Sequence, residues 1–208
     1  KKIQVDFNAP DLSSNGGLVL VGLMKESIAR KVARLIPDHR NQLLVLHSYE
    51  EMVCQRVGQI MCGYEDANDC DRLRHDSALK MSVGRKVSDP DLCSQPTMTR
   101  LENHLDKKTE LWIKDLKYFR ADRMSCSSFK ANMFRLFLYG AAYVTAYRLK
   151  SKAFSNTEVE VFTMDSFMKR IMLSAVFITE KKTFVRFSFS PHHRHLEAIS
   201  QALTSLSA

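Results

Sequence analysis

A chain of 208 residues with 45% hydrophobic and 26% charged residues can bury a real core and is too apolar to be disordered throughout. Its formal net charge of +8 is uneven, because residues 1–103 carry 14 Lys/Arg and 14 Asp/Glu whereas residues 104–208 carry 17 against 9. An excess confined to one half suits a polyanionic partner, since neutralised phosphates release condensed counterions.

Along the chain, Lys2–Phe7 alternates Ile3, Val5 and Phe7 with polar neighbours, which predicts a short strand. The turn cluster from Asp11 to Gly17 follows, with Ser14 or Asn15 placed to cap a helix. Apolar residues at helical spacing from Gly17 to Leu35 predict that helix, stopped by Pro37. A second helix is expected from about Asn41 to Met61, with Leu43, Leu46, Met52, Val53, Val57 and Ile60 inward and Gly63 closing it. Asp76 is placed to cap a short helix over Ser77–Val83, and Ser94 with Pro96 opens another through Leu101.

The basic half begins with a helical pattern over Lys108–Lys117. A long helix from Phe129 to about Lys150 would turn Phe129, Met133, Leu136, Phe137, Gly140, Ala141 and Val144 inward. Asp165 would cap Ser166–Leu173, and Val176–Thr179 with Thr183–Phe189 read as a hairpin. An amphipathic helix over His195–Leu206 follows. The seam near Asn103–Thr109 divides a helical region, 1–103, from a basic region, 104–208.

Five cysteines, Cys54, Cys62, Cys70, Cys93 and Cys126, form no Cys-x-x-Cys pair. That argues against a disulfide framework or a zinc ribbon and for reduced thiols. The acids Glu65, Asp66, Asp69 and Asp71 lack calcium-loop spacing and are expected to cap and to pair with Arg72 and Arg74. His192, His193 and His195 have no Cys or carboxylate at ligand spacing. No apolar run approaches the roughly 18 residues of a membrane span, and the start lacks a signal-peptide pattern. We therefore expect a cytoplasmic protein with no membrane partner.

Three stretches resemble the group-1 DDE transposases, the bacterial insertion-sequence enzymes with an RNase-H-like core. They are Asp11–Leu20, Gly63–Lys80 continuing through Ser94–Asn103, and Glu110–Lys117 followed by Arg123–Asn132. In that family a Tyr, Arg, Glu and Lys recur with two, three and six intervening residues. Glu110 and Lys117 occupy the last two places, but Asn103 and Asp106 stand where the Tyr and Arg belong. The resemblance implies that Glu110 is the third catalytic acid, that Lys114, Lys117, Arg120 and Arg123 meet DNA, and that Mg²⁺ is the family cofactor. It also implies nucleoid association and DNA at insertion-sequence ends as partner.

The strands that carry the two catalytic aspartates in the family have no counterpart between Asn103 and Glu110, as in an internally deleted copy. A two-ion phosphoryl-transfer centre needs a cluster of carboxylates, so the chain alone is expected to bind no Mg²⁺ and to lack strand transfer. Its Lys and Arg over residues 107–135 would still face phosphate. Two other readings stand beside this one. The first is an active or complementable transposase. The second is a helical module that forms a homo-oligomer or binds and inhibits full-length transposase. The expected fold is mainly α (α+β): helical flanks, a short N-terminal strand, a C-terminal β-hairpin, and an RNase-H-like sheet reduced or absent.

Overall fold

A computed structural model describes residues 2–6, 13–24, 28–36, 38–64, 66–103 and 129–207. In chain order they form β1 (Lys2–Asp6), α1 (Gly17–Leu23), α2 (Ile28–Ala33), α3 (Tyr49–Met61), α4 (Cys70–Leu73), α5 (Ser77–Val83), α6 (Gln95–Asn103) and α7 (Phe129–Ala153). Then come α8 (Met164–Phe167), which runs on into a π-helical turn at Met168–Met172, β2 (Val176–Glu180), β3 (Phe184–Phe189) and α9 (Leu196–Ser207). The fold is mainly helical with one three-stranded sheet among the described residues, as expected from the sequence.

The caps explain several boundaries. Asp76 accepts from the Leu79 N–H at 2.8 Å and starts α5, as predicted. Gly63, at φ +84°, ends α3 in the left-handed region that a side chain would resist. Other boundaries moved. The second helix begins only at Tyr49, where Ser48 caps it through the Glu51 N–H. Upstream, Gln42–Leu44 is a 3₁₀ turn whose Asn41 side chain accepts from Leu43 N, so Leu43 is 93% exposed and Leu44 and Leu46 also face solvent. The predicted Gly17–Leu35 helix is two helices, because Met24 leaves the helical region at ψ 122°. One apolar stripe serves two surfaces: α1 packs on α5, whereas α2 packs on α3 and α7.

Neither Ser14 nor Asn15 caps α1; Gly16 holds that position without a side-chain bond. Asn15 instead donates to Asp76 and accepts from the Tyr64 hydroxyl. Thr163, not Asp165, caps α8, and Asp165 pairs with Lys169 one turn on.

Two helices organise the core. On α3 every residue from Met52 to Met61 is buried, including Gln55, Arg56 and Gln59. The Gln55 amide donates to the Cys93 carbonyl and accepts from its N–H, as a neighbouring strand would. Gln59 meets Cys70 Sγ at 3.3 Å. Arg56 donates to Glu102 Oε1 at 2.9 Å and to the Tyr64 carbonyl at 2.9 Å. Through these three side chains α3 holds the 63–103 segment at both ends and in its middle. Burial drives the thiols of Cys54 and Cys70 up to about 11 and pushes Cys62 and Cys93 higher still.

Helix α7 crosses α3 and also touches α1, α2, α6 and α9. Its buried face overlaps the predicted one only in part. Phe134, Leu138 and Leu149 enter the core with Ala131, Ala141, Ala142, Ala146 and Ala153, where small side chains allow close helix approach. Gly140 and Ala141 are buried as expected, but Phe129 is 71% exposed, and Met133, Leu136, Phe137 and Val144 are only half-buried.

The sheet closes the chain on itself. β2 and β3 form the predicted hairpin, and β1 adds to β3 in parallel, with Ile3 opposite Val185 and Val5 opposite Phe187. Ser13 exchanges two backbone bonds with Val176, and the Gly16 N–H donates to the Ser174 carbonyl. A Cβ on Gly16 would lie 2.3 Å from that oxygen, so only glycine lets the segments approach.

His193 braces the same joint. The His195 N–H donates to its Nδ1, which leaves the proton on Nε2 to be donated to Ser174 Oγ at 2.8 Å, and Ser174 Oγ donates to the Arg170 carbonyl. His195 in turn pairs with Glu158 and packs edge-on to Phe162, over which Arg170 lies.

Two outcomes are expected. Glu102→Ala leaves the buried Arg56 without its carboxylate and should cost about 3–5 kcal/mol in urea denaturation, whereas replacing both partners by apolar residues should cost less. Equal losses would mean that the charge pairing itself matters little. Burial and the neighbouring His195 lower the His193 pKa below 6.5. The unfolded chain therefore takes up the proton first, and the contribution to stability, complete above pH 6.5, falls as pH drops below it. Thermal melts of wild type and His193→Gln between pH 8 and 5 check this. A wild-type acid slope equal to that of the variant would refute it.

Candidate nucleic-acid interface

The residues singled out by the sequence, Glu110, Lys114, Lys117, Arg120 and Arg123, lie at 104–128, outside the described residues. So do the helical pattern Lys108–Lys117, Trp112, Asp106, Asp115 and Cys126. What the structure does place is the frame on either side. Asn103 ends α6 with its amide on the Thr99 carbonyl, one residue after Glu102 enters the buried pair with Arg56. Phe129 begins α7, which packs against α6. The two helices that border this stretch are thus fixed to one another through the core.

Arg135 does not join the expected phosphate-facing set. Its residue is 3% exposed on the core side of α7. A sequence count by smaller windows also redistributes the charge. Residues 104–128 hold 6 Lys/Arg and 4 Asp/Glu, whereas 129–208 hold 11 against 5. Most of the positive excess lies downstream of the family motif, a signal that halving the chain conceals. Helix α7 contains no acidic residue at all, and its last turns carry Arg148, Lys150 and Lys152. Arg148 and Lys152 are exposed, one turn apart, beside a groove of about 250 Å³ walled by Leu23, Met24, Leu149 and Leu206.

The expected acidic-loop pairing is half right. Arg72 pairs with Asp69 at 3.1 Å, but Arg74 turns to Asp91 at 3.4 Å, where His75 and Lys80 also converge. Desolvation raises the Asp91 carboxyl, but His75 and Lys80 together hold it below the usual carboxylate range. Asp71 accepts from the Gln95 N–H at the start of α6. Of the histidines, His193 and His195 are engaged at the sheet joint described above.

Two divalent ions need several hard oxygen ligands gathered at one point. Among the described residues no group of three His, Cys, Asp or Glu gathers in that way. Several carboxylates there are spent on structure: Glu102 on Arg56, Glu51 on Arg85 and His47, Asp76 on the α5 cap and Ser13. This donor set does not fit a metal pair. Among the described residues no helix is long and apolar enough to cross a membrane.

Comparison with known proteins bears on the whole chain. No curated protein and no solved structure matches it. The sequence model of one family, described as transposase DDE domain group 1, matches residues 1–111 and again residues 108–208. Together the two segments cover the chain from end to end, taking in the idiosyncratic 63–103 stretch that α3 clamps and the Glu110-to-Lys117 spacing alike. The chain belongs to the group 1 family of DDE-domain transposases.

Proposed function

We propose that this transposase-family chain binds DNA and performs no strand transfer on its own. The carrying observation is the division of the family match into two segments that meet at residues 108–111. That junction falls beside the only acid standing at a family catalytic place, Glu110. It supports an internal deletion that removed the strands bearing the two aspartates. A single glutamate cannot hold two metal ions against water, so the phosphodiester chemistry lapses while the cationic surface remains. Lys114, Lys117, Arg120 and Arg123 supply phosphate contacts in this reading, at the ends of an insertion sequence. Mg²⁺ is not retained, and the protein acts in the cytoplasm at the nucleoid.

The exposed leucines Leu35, Leu43, Leu44 and Leu46 favour a second reading, in which the chain also associates with itself or with full-length transposase. Exposed apolar side chains that gather into a patch are a common mark of protein contact.

Filter binding to a duplex insertion-sequence end across a salt series tests the main proposal. Affinity should fall linearly on a log–log plot, and each of Lys114→Ala, Lys117→Ala, Arg120→Ala and Arg123→Ala should lower the slope by about 1. Binding that is absent at low salt, or independent of salt, overturns the DNA-binding part. Incubation of the same duplex with Mg²⁺ should leave it intact. Nicking that depends on Mg²⁺ and disappears in Glu110→Gln would instead restore the chain as an active transposase.

A further inference from the structure

Helix α7 carries three tyrosines at four-residue spacing, Tyr139, Tyr143 and Tyr147, which places them in a row along one helix face. The row emerges from the core as it advances: Tyr139 is half-buried, Tyr143 is 43% exposed and Tyr147 is 53% exposed. The rings of Tyr143 and Tyr147 lie 6.3 Å apart at 14° to one another, a stacked pair on the surface. Tyr147 is the most exposed of the three rings, an amphipathic aromatic at the surface of a helix that turns its alanines to the core.

Cations flank the outer ring on both sides. Arg148 follows Tyr147 around the helix in one direction, Lys150 lies in the other, and Lys152 follows one turn after Arg148. Among the described residues none of these three cations has an acidic partner, and α7 supplies none from its own sequence. A stacking platform between positive flanks has the chemistry of a single nucleic-acid strand. The ring takes the face of an unpaired base, and the cations take the phosphates on either side. Duplex DNA keeps its base faces inside the stack and cannot use the ring in this way.

We propose that Tyr147, stacked on Tyr143 and flanked by Arg148 and Lys150, binds unpaired bases of single-stranded DNA. This rests on the DNA-binding reading above and adds to it a strand form and a surface that the family motif does not include.

Fluorescence anisotropy with a labelled oligothymidylate and a duplex of equal length, at fixed low salt, tests it on the full chain. Tyr147→Ala should weaken single-strand binding about tenfold and leave duplex binding unchanged. Tyr147→Phe, which keeps the ring, should stay within about twofold of wild type. Tyr147→Leu keeps bulk and helix preference without a π-face. It should behave as the alanine variant does, and it guards against a loss caused by misfolding. Arg148→Ala combined with Lys150→Ala should reduce the salt dependence of single-strand binding by about 1.4 in slope. If Tyr147→Ala and Tyr147→Leu bind the single strand like wild type while duplex binding persists, the platform is refuted and the duplex reading survives. If wild type binds neither DNA, both fall together.

Discussion

The ion pair between Arg56 and Glu102 sits at the centre of this molecule, with both side chains out of water. A buried guanidinium costs several kcal/mol unless its donors are met, so this pair dictates the positions around it. Glu102 must reach α3, which fixes the end of α6. The Tyr64 carbonyl must reach the same guanidinium, which fixes the turn after Gly63. Gln55 and Gln59 add the intermediate ties at Cys93 and Cys70. The long, irregular 63–103 segment has short helices and buries Leu73, Leu79, Leu92, Met98 and Leu101 in the common core. Its shape is imposed by polar side chains on a neighbouring helix, and hydrogen-bonded networks of that kind select one arrangement among many compact ones.

The second organising feature is the closure of the chain ends. β1 lies parallel to β3, across nearly the whole sequence, and the Ser13–Gly16 segment is bonded to Ser174 and Val176. Asp76 extends this joint into the helical layer, since its carboxylate caps α5 and also accepts from Ser13 and Asn15. Segments from both family matches are therefore interleaved in one sheet and one core. The two matched flanks do not hang apart. Here α7 packs against α1, α2, α3 and α6 from the first flank as it does against α9 of the second.

Electrostatics divide the molecule differently from its packing. In the first half, acids and bases are equal in number and largely paired: Glu51 with Arg85, Glu50 with Arg30 and Arg34, Asp38 with Arg40. In the second half cations outnumber acids 17 to 9, and α7 carries none of those acids. Surface pairs of the first kind contribute little net charge and little stability. An unbalanced surface of the second kind produces a field that an approaching polyanion meets at long range.

Family membership was legible in the sequence because it rests on residue identities at fixed spacings, from Gly63–Lys80 to Glu110 and Lys117. So were α5, α6, α7 and the hairpin, since helix periodicity, strand alternation, the Asp76 cap and the Gly63 terminus are local properties of the chain. Which side of an element meets the core is not local. Gln55, Arg56 and Gln59 fall on one helical stripe that reads as a solvated face, and only the folded chain covers it with the 63–103 segment. Leu43 and Leu46 fit a helical stripe, yet the Ser48 cap starts the helix beyond them and leaves them in water. On α7 the alanines share the core with Phe134, Leu138 and Leu149, because two helix axes approach most closely where side chains are small. The parallel pairing of β1 with β3 likewise joins residues some 180 positions apart, at a separation where neither strand's pattern names its partner. Short-range spacing sets what each segment can become. The burial of polar groups and the closeness of helix approach, both set by distant segments, decided what it did become.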